Sequence, residues 1–339
     1  MKQQNFRPLY VFKDGSWGYG TMLVAYLVLS LLVSVIIFAA GVTKITDVTG
    51  ATWYYYVNGA VSGLVVLAVF LGFNKVRKIN FVYAANLKIK PNWKAIVLII
   101  AMSIVCLFGL NFIINLLNVG LNGISGTTDG DIPMNNIGLL IAGIFVFALL
   151  PAVAEELLFR GMIFKAISKK LKPAAAITVS ALMFAMYHFS MYQLVYQFAL
   201  GILFACIVYY TGSVIYSMIA HFLNNFLVIL FTYTGVLGAI TPVSWGIGSV
   251  LMAIGCAILG AALIVGLFYL LKKVHKKHSD PPQTVEYQQR LAAEIAVKEK
   301  GMTEYDKRAS GAALSDKNSL LFVCLAAAAM WIILVVLAL

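Results

Sequence analysis

A series of long apolar runs constrains this chain more than any other feature of its sequence. Each run approaches the ~20 residues that an α-helix needs to cross the hydrocarbon core of a bilayer. Lipid offers no partners for backbone hydrogen bonds, so the chain must satisfy them internally, and runs of this length fit helices. The sequence therefore predicts an all-α, polytopic membrane helix bundle of about nine transmembrane spans. The runs lie at about 22–42, 53–73, 95–117, 137 to the lysine at 165, 173–192, 194–210, 214–231, 245–271 and 320–339.

Composition and charge exclude several classes of protein. The chain is 62% hydrophobic and only 11% charged, which is not typical of a soluble enzyme. Its net charge of +12 does not indicate nucleic-acid binding, because the basic residues cluster at the ends of the apolar runs. His275 and His278 lie in one such cluster and are expected to be solvated. No CxxC pattern supports a disulfide framework or a cysteine zinc site. The cysteines occur singly in apolar runs, at Cys106, Cys206, Cys256 and Cys324.

Lysine and arginine in the loops predict the orientation of the spans. The loop after the second span, the loop after the fourth and the end of the eighth are rich in lysine, whereas the other informative loops hold almost none. Because positive loops stay in the cytoplasm, nine spans place the N-terminus inside and the C-terminus outside. Short loops favour a bacterial plasma membrane. We expect a three-span region at 1–130, a four-span core at 131–235, and an eighth span, polar cytoplasmic segment and ninth span at 236–339.

The fourth run carries charge in its interior, in the sequence P-A-V-A-E-E-L-L-F-R-G. Burying charge at that depth is costly, so ionisable residues inside a span indicate a functional site. The remaining acidic residues are expected in loops, in the N-terminal leader or in the polar tail. Glu156 and Arg160, four residues apart, predict an ion pair on one helix face. Glu155 points elsewhere and is left without a local partner. A purely structural network of all three residues is the alternative.

Two histidines also lie inside predicted spans. His188 follows Phe184 by one helical turn, and His221 precedes Asn225 by one turn. A lone histidine on an apolar helix is more often a packing residue than a catalyst. Counting ~1.5 Å per residue from the lysine-rich ends, however, puts these side chains and Glu155 in one layer of three different helices. Their common depth predicts a site nearer the cytoplasmic side.

The three motifs together resemble those of a known family. E-E-x-x-x-R (Glu155, Glu156, Arg160), F-x-x-x-H (Phe184, His188) and H-x-x-x-N (His221, Asn225) occur in that order on successive spans. The set is similar to the CAAX-protease and bacteriocin-processing family, which includes the eukaryotic type II CAAX prenyl endopeptidase. The resemblance covers about 137–230 and implies an intramembrane endopeptidase with a glutamate-dependent mechanism.

The residues themselves suggest roles for such a reaction. Glu155 can take a proton from water, and His188 can orient that water or share its proton. His221 and Asn225 offer two donors for a tetrahedral oxyanion, with Glu156, Arg160 and Phe184 as structural support. A zinc site would instead use His188, His221 and Glu155 as ligands. Because H-E-x-x-H is absent and only two histidines are available, the version without metal or other cofactor is favoured.

Two other classes of function remain as alternatives. The same ionisable residues could form the proton relay of a proton-coupled transporter, although the sequence shows no inverted repeat. The second alternative is a non-catalytic membrane scaffold or a bacteriocin-immunity protein. For the protease, the expected partners are the lipid bilayer and a membrane-embedded peptide or protein substrate, with or without a lipid group. No nucleic acid is expected.

Overall fold

The computed structural model describes residues 10–39, 51–125, 133–240, 246–277 and part of 320–328. The described residues form helices and no β-strand, which confirms the all-α membrane bundle. Among the described residues before 278, the helices are α1 (Phe12–Ala39), α2 (Thr52–Arg77), α3 (Phe81–Ala84), α4 (Trp93–Ser125), α5 (Ile137–Ile167), α6 (Pro173–Tyr187), α7 (Met191–Thr211), α8 (Val214–Tyr233), α9 (Val236–Ile240) and α10 (Ile247–Val274).

Most of the long helices correspond to predicted spans. Within the described residues, α1, α2, α4, α5, α7, α8 and α10 are long and apolar enough to cross a membrane, whereas α6 has only 15 residues. Helical residues occur between 320 and 328, but most of the predicted ninth span, 320–339, lies outside the described residues. The polar segment 278–319 lies outside them too.

The first helix begins ten residues earlier than predicted, and its first turn contains a buried acid. Asp14 is 2% exposed. Its Oδ1 accepts hydrogen bonds from Arg77 Nη2 at 2.7 Å and Nε at 2.9 Å, and its Oδ2 accepts from the Val11 N–H. The expectation that buried acid is confined to the fourth span was therefore wrong. The physical reason is the arginine at the end of α2, which pairs with Asp14 and lets the polar leader fold as helix.

The fifth predicted span ends sooner than the sequence indicated. It was expected to reach about residue 192, but α6 ends at Tyr187, and Phe189 adopts a left-handed conformation with φ +48°. Ser190 then caps α7 by accepting a hydrogen bond from the Gln193 N–H. His188 consequently lies at a helix terminus rather than within a span.

The expectation that His275 is solvated was also wrong. Its side chain is 7% exposed, and its ring packs edge-on against Tyr216 with the centroids 5.1 Å apart. Its Nε2 lies 3.4 Å from the Thr211 carbonyl oxygen. The chain after α10 turns back onto the start of α8, and this contact buries the imidazole. His278 lies outside the described residues.

Close helix crossings depend on small residues. A Cβ at Gly201 on α7 would lie 2.8 Å from the Ala181 Cα on α6, and one at Gly260 on α10 would lie 3.0 Å from the Gly109 Cα on α4. Small residues that allow backbones to approach are typical of helix contacts in membranes. These crossings join α6 to α7 and α4 to α10.

The central helix α5 has irregular geometry where it carries the charged motif. It contains two π-helical stretches, Ile144–Leu149 and Glu156–Phe164, separated by regular helix that ends at Glu155. All nine residues of the second stretch are buried, against α1, α6, α8 and other helices. π-Helical turns are rare and frequently occur at functional sites. Both glutamates thus lie at the junction of two helix geometries.

Candidate active site

The core of the site is the ion pair of Glu156 and Arg160. Arg160 Nη1 lies 2.7 Å from Glu156 Oε1, and both side chains are fully buried. Arg160 Nη2 also donates to the Gly201 carbonyl oxygen at 3.3 Å. The guanidinium carbon lies 4.1 Å from the ring centroid of Phe184 and 5.2 Å from that of Phe204. The predicted pair is therefore present, and it also ties α5 to α6 and α7.

His221 lies between the two glutamates. Its Nδ1 is 3.0 Å from Glu156 Oε1, and its Nε2 is 3.9 Å from Glu155 Oε2. The ring stacks on Phe204 with centroids 4.9 Å apart and meets Phe184 edge-on. A carboxylate can only accept, so Nδ1 donates to Glu156 and Nε2 faces Glu155. Although the two carboxylates leave α5 in different directions, one imidazole on α8 is close to both.

The carboxylate of Glu155 has few polar contacts with the described residues. Its side chain is 9% exposed, its Oε2 has no hydrogen-bond partner there, and the 3.9 Å to His221 exceeds hydrogen-bonding distance. Most buried polar atoms in folded proteins do have a partner, and this oxygen can still accept a hydrogen bond from water or from a substrate. This carboxylate is available for chemistry, whereas that of Glu156 is held on one oxygen by two partners.

A cluster of hydroxyl groups joins α1, α2 and α6, and no sequence motif predicted it. The Tyr26 hydroxyl hydrogen-bonds the Ser62 hydroxyl and lies 2.8 Å from that of Tyr187. Tyr187 connects this cluster to the site, because its ring centroid lies 5.1 Å from that of His188. Tyr26 and Ser62 belong to α1 and α2, which carry no motif, so no sequence signal identified them. Tyr187 precedes His188 and was overlooked beside it.

His188 joins the same site through Phe184. Its Nδ1 lies 2.9 Å from the Phe184 carbonyl oxygen, and its ring packs on the Phe184 ring at 4.9 Å. Since a carbonyl only accepts, Nδ1 donates and Nε2 carries the lone pair. The side chain is half-buried, and its hydrogen bond to Phe184 uses Nδ1, which leaves Nε2 for another partner. Phe184 therefore contacts both histidines as well as Arg160.

Asn225 makes a contact that the motif did not predict. Its Nδ2 donates to the Phe147 carbonyl oxygen at 2.9 Å, within the first π-helical stretch of α5. Its Oδ1 accepts from Asn224 Nδ2, and Asn224 Oδ1 accepts from the Tyr196 hydroxyl. Asn225 thus connects α8 to α5 one turn from His221. Asn224 and Tyr196 were not singled out from the sequence, although the Asn-Asn pair was visible there.

The side chains of the site resemble those of a metal centre only in part. Both histidines engage Nδ1 with an oxygen and leave Nε2 for another partner, as metal-ligating histidines commonly do. Across the parts of the chain that the structure describes, however, no three His, Cys, Asp or Glu side chains are grouped so that they could hold a metal ion. Glu156 is already occupied by Arg160. The described side chains do not form a zinc site as they stand.

One family model matches the part of the chain that builds this site. Residues 137–227 match the model described as type II CAAX prenyl endopeptidase Rce1-like. This segment is Rce1-like. The Rce1-like segment runs from the start of α5 into α8 and includes Glu155, His188, His221 and Asn225. The match confirms the resemblance that the three motifs indicated, and it implies an intramembrane protease. Neither the comparison with curated proteins nor that with solved structures found a match.

Proposed function

We propose that this protein is an intramembrane endopeptidase in which Glu155 activates the water that hydrolyses a peptide bond. The observation that carries the proposal is the contrast between the two neighbouring carboxylates. Both carboxylates have an unpartnered, buried Oε2, but Glu156 is fixed through its Oε1 by Arg160 and His221, whereas no such contact within hydrogen-bonding distance holds Glu155 among the described residues. A general base needs a carboxylate that is free to accept a proton from water.

The proposed reaction moves one proton through Glu155. Water attacks the carbonyl carbon of the scissile bond while Glu155 accepts a proton from it, and the carbonyl oxygen becomes an oxyanion. Glu155 then returns the proton to the nitrogen of the leaving amine as the carbon–nitrogen bond breaks. The products are a carboxylic acid and an amine. His188, with its Nε2 lone pair unengaged, accepts the second hydrogen bond of the water and orients it.

His221 and Asn225 are proposed to stabilise the oxyanion. His221 already donates from Nδ1 to Glu156, so it donates to the oxyanion from Nε2 only when that nitrogen also carries a proton. The second hydrogen of Asn225 Nδ2 remains for an oxyanion after the first binds the Phe147 carbonyl. This arrangement needs no metal, so the proposed enzyme uses no cofactor.

The proposed substrate is a peptide or protein embedded in the membrane, with or without a lipid group, and cut near the lysine-rich face. Hydrolysis needs water, which the hydrocarbon core does not supply, so the site must be hydrated from the nearer membrane surface. By the distribution of lysines this surface is cytoplasmic.

Single cysteines beside Glu155 and His221, in a chain without the four native cysteines, should react with a membrane-impermeant thiol reagent from the cytoplasmic side only. Reaction from outside intact cells would refute this orientation.

The decisive experiment compares two substitutions that differ by one position. Glu155→Gln removes the base but keeps size and hydrogen-bonding atoms, so we expect loss of cleavage of co-expressed candidate membrane peptides with unchanged abundance and thermal unfolding. Glu156→Gln removes a charge that neutralises Arg160 and should lower the thermal midpoint. A Glu155→Gln variant that cleaves at the wild-type rate would rule out Glu155 as the general base.

A further inference from the structure

An apolar groove lies between α4, α7 and α10, and neither glutamate of the candidate active site lines it. The groove has a volume of about 300 Å³, and none of the described residues that line it carries a nitrogen or oxygen atom in its side chain. Its lining residues Ala261 and Val265 are exposed, so the groove opens sideways at the surface of the bundle. Because all three helices are apolar enough to span a membrane, this opening faces the hydrocarbon chains of lipids.

The groove follows the axis of α10. Its lining residues on this helix extend from Ala257 to Phe268, which corresponds to ~16 Å along the axis. Gly109 and Gly260, where α4 and α10 cross closely, also line the groove and contribute no side chain to fill it. An apolar space of this length fits one hydrocarbon chain that lies along the helices.

A positive charge lies at one end of the groove. Phe268 ends the lining on α10, and Lys272 follows it by one helical turn on the same face of the helix. The ring centroids of Phe268 and Tyr210 are 5.2 Å apart, and Lys272 Nζ lies 4.7 Å from the centroid of Tyr210. An aromatic ring orients an ammonium group without neutralising it. The charge of Lys272 is therefore held where the groove reaches the lysine-rich surface.

We propose that this groove binds one acyl chain of an anionic phospholipid, with the phosphate of the headgroup beside Lys272. The apolar lining and its length match a hydrocarbon chain. The lysine at its end matches a phosphate, since lysines at the membrane surface attract anionic headgroups. A soluble anion would use only the lysine, and a neutral lipid would use only the groove. Because the site includes neither Glu155 nor the histidines of the candidate active site, it does not depend on the proposed protease activity.

Native mass spectrometry of the purified full-length protein in detergent tests the proposal. The probes are phosphatidylglycerol and phosphatidylcholine with identical acyl chains, and inorganic phosphate, each offered separately. We expect retention of phosphatidylglycerol in preference to phosphatidylcholine, and no retention of inorganic phosphate. Lys272→Gln should lower the preference for phosphatidylglycerol by about fivefold. Ala261→Phe should lower the retention of both lipids, because the added ring would occupy the open edge of the groove.

The next positions along α10 provide matched controls. Ala262 is exposed and does not line the groove, and Lys273 Nζ lies 4.5 Å from the ring centroid of Tyr269 instead of that of Tyr210. Ala262→Phe and Lys273→Gln should therefore keep the wild-type retention and preference. All four substituted residues are exposed, so the thermal midpoint should not change. The two lysine variants alter no packing in the groove, and their comparison stands without the alanine variants.

Three results would overturn the proposal. The first is equal loss in the groove variants and in their controls, which would show a general effect of surface charge or bulk. The second is unchanged retention and preference in the groove variants, or equal retention of the two lipids by the wild type. The third is retention of inorganic phosphate as strong as that of phosphatidylglycerol, because the acyl chain would then contribute nothing.

Discussion

Replacing Arg160 should destabilise the protein far more than replacing either residue of a surface pair. Two charges whose centres are about 4 Å apart attract each other by about 4 kcal/mol at an effective dielectric constant of about 20. Arg160→Met removes this attraction, the hydrogen bond to the Gly201 carbonyl and the contacts with Phe184 and Phe204. Breaking a buried pair by removing one partner costs about 3–5 kcal/mol, because the other charge is left buried.

A double-mutant cycle measures the coupling between Glu156 and Arg160. Glu156→Gln keeps an oxygen that can accept from His221 but removes the negative charge. Combined with Arg160→Met, it leaves no buried charge at this position. The free energy of unfolding of the double variant should therefore be higher than that of Arg160→Met alone by about 2 kcal/mol or more. The free energy of unfolding would be measured in detergent by equilibrium denaturation, with protein abundance in membranes as a second readout.

Two results would refute this account. If Arg160→Met lowered the free energy of unfolding by less than about 1 kcal/mol, the pair would not be a principal connection between α5 and its neighbours. If the double variant were as unstable as the sum of the two single variants, the two side chains would act independently, in contradiction to the 2.7 Å contact between them.

Three further outcomes are expected. Enzyme dialysed against a chelator should keep its activity. If elemental analysis found one zinc per chain, and activity were lost on removing the zinc and restored on returning it, the two histidines would be zinc ligands. In a thermal unfolding assay, Gly201→Ala should lower stability by about 1–3 kcal/mol, because the added Cβ would lie 2.8 Å from the Ala181 Cα. The control Gly266→Ala should not destabilise the protein, because a Cβ there meets no atom within 4 Å. Asp14→Asn should cost about 1–2 kcal/mol in the same assay, since it weakens the bonds from Arg77, and no change would contradict a stabilising role for the pair.

The interior of the site was only partly predictable from the chain. The spacing of Glu156 and Arg160 was sufficient to predict their ion pair, because both residues lie on one helix and local geometry determines which side chains meet. The position of His221 between two carboxylates was not predictable in this way. It depends on how α8 packs against α5, and Glu156 and His221 are 65 residues apart in the chain. The hydroxyls of Tyr26 and Ser62 are still more distant in sequence from the motif.

Two buried polar residues were not predicted, for one physical reason. The sequence predicts Asp14 in a polar N-terminal leader and a solvated His275 in a run of lysines, yet both side chains are buried. In each case a distant residue supplies the compensating contact: Arg77 for Asp14, and Thr211 with Tyr216 for His275. Hydropathy is averaged over neighbours in the chain, so it cannot predict a contact with a residue on another helix.

The sequence by itself determined that this is a bundle of membrane helices, and it located the three spans that carry the three motifs. Apolar runs of this length specify helices without help from tertiary contacts, because a backbone in lipid must satisfy its own hydrogen bonds. Only the tertiary structure decided which carboxylate is held and which is available, since that depends on His221, Arg160 and the π-helical geometry at Glu156 meeting in one place. Helix formation is local, whereas the pairing of buried polar groups is a property of the packed bundle.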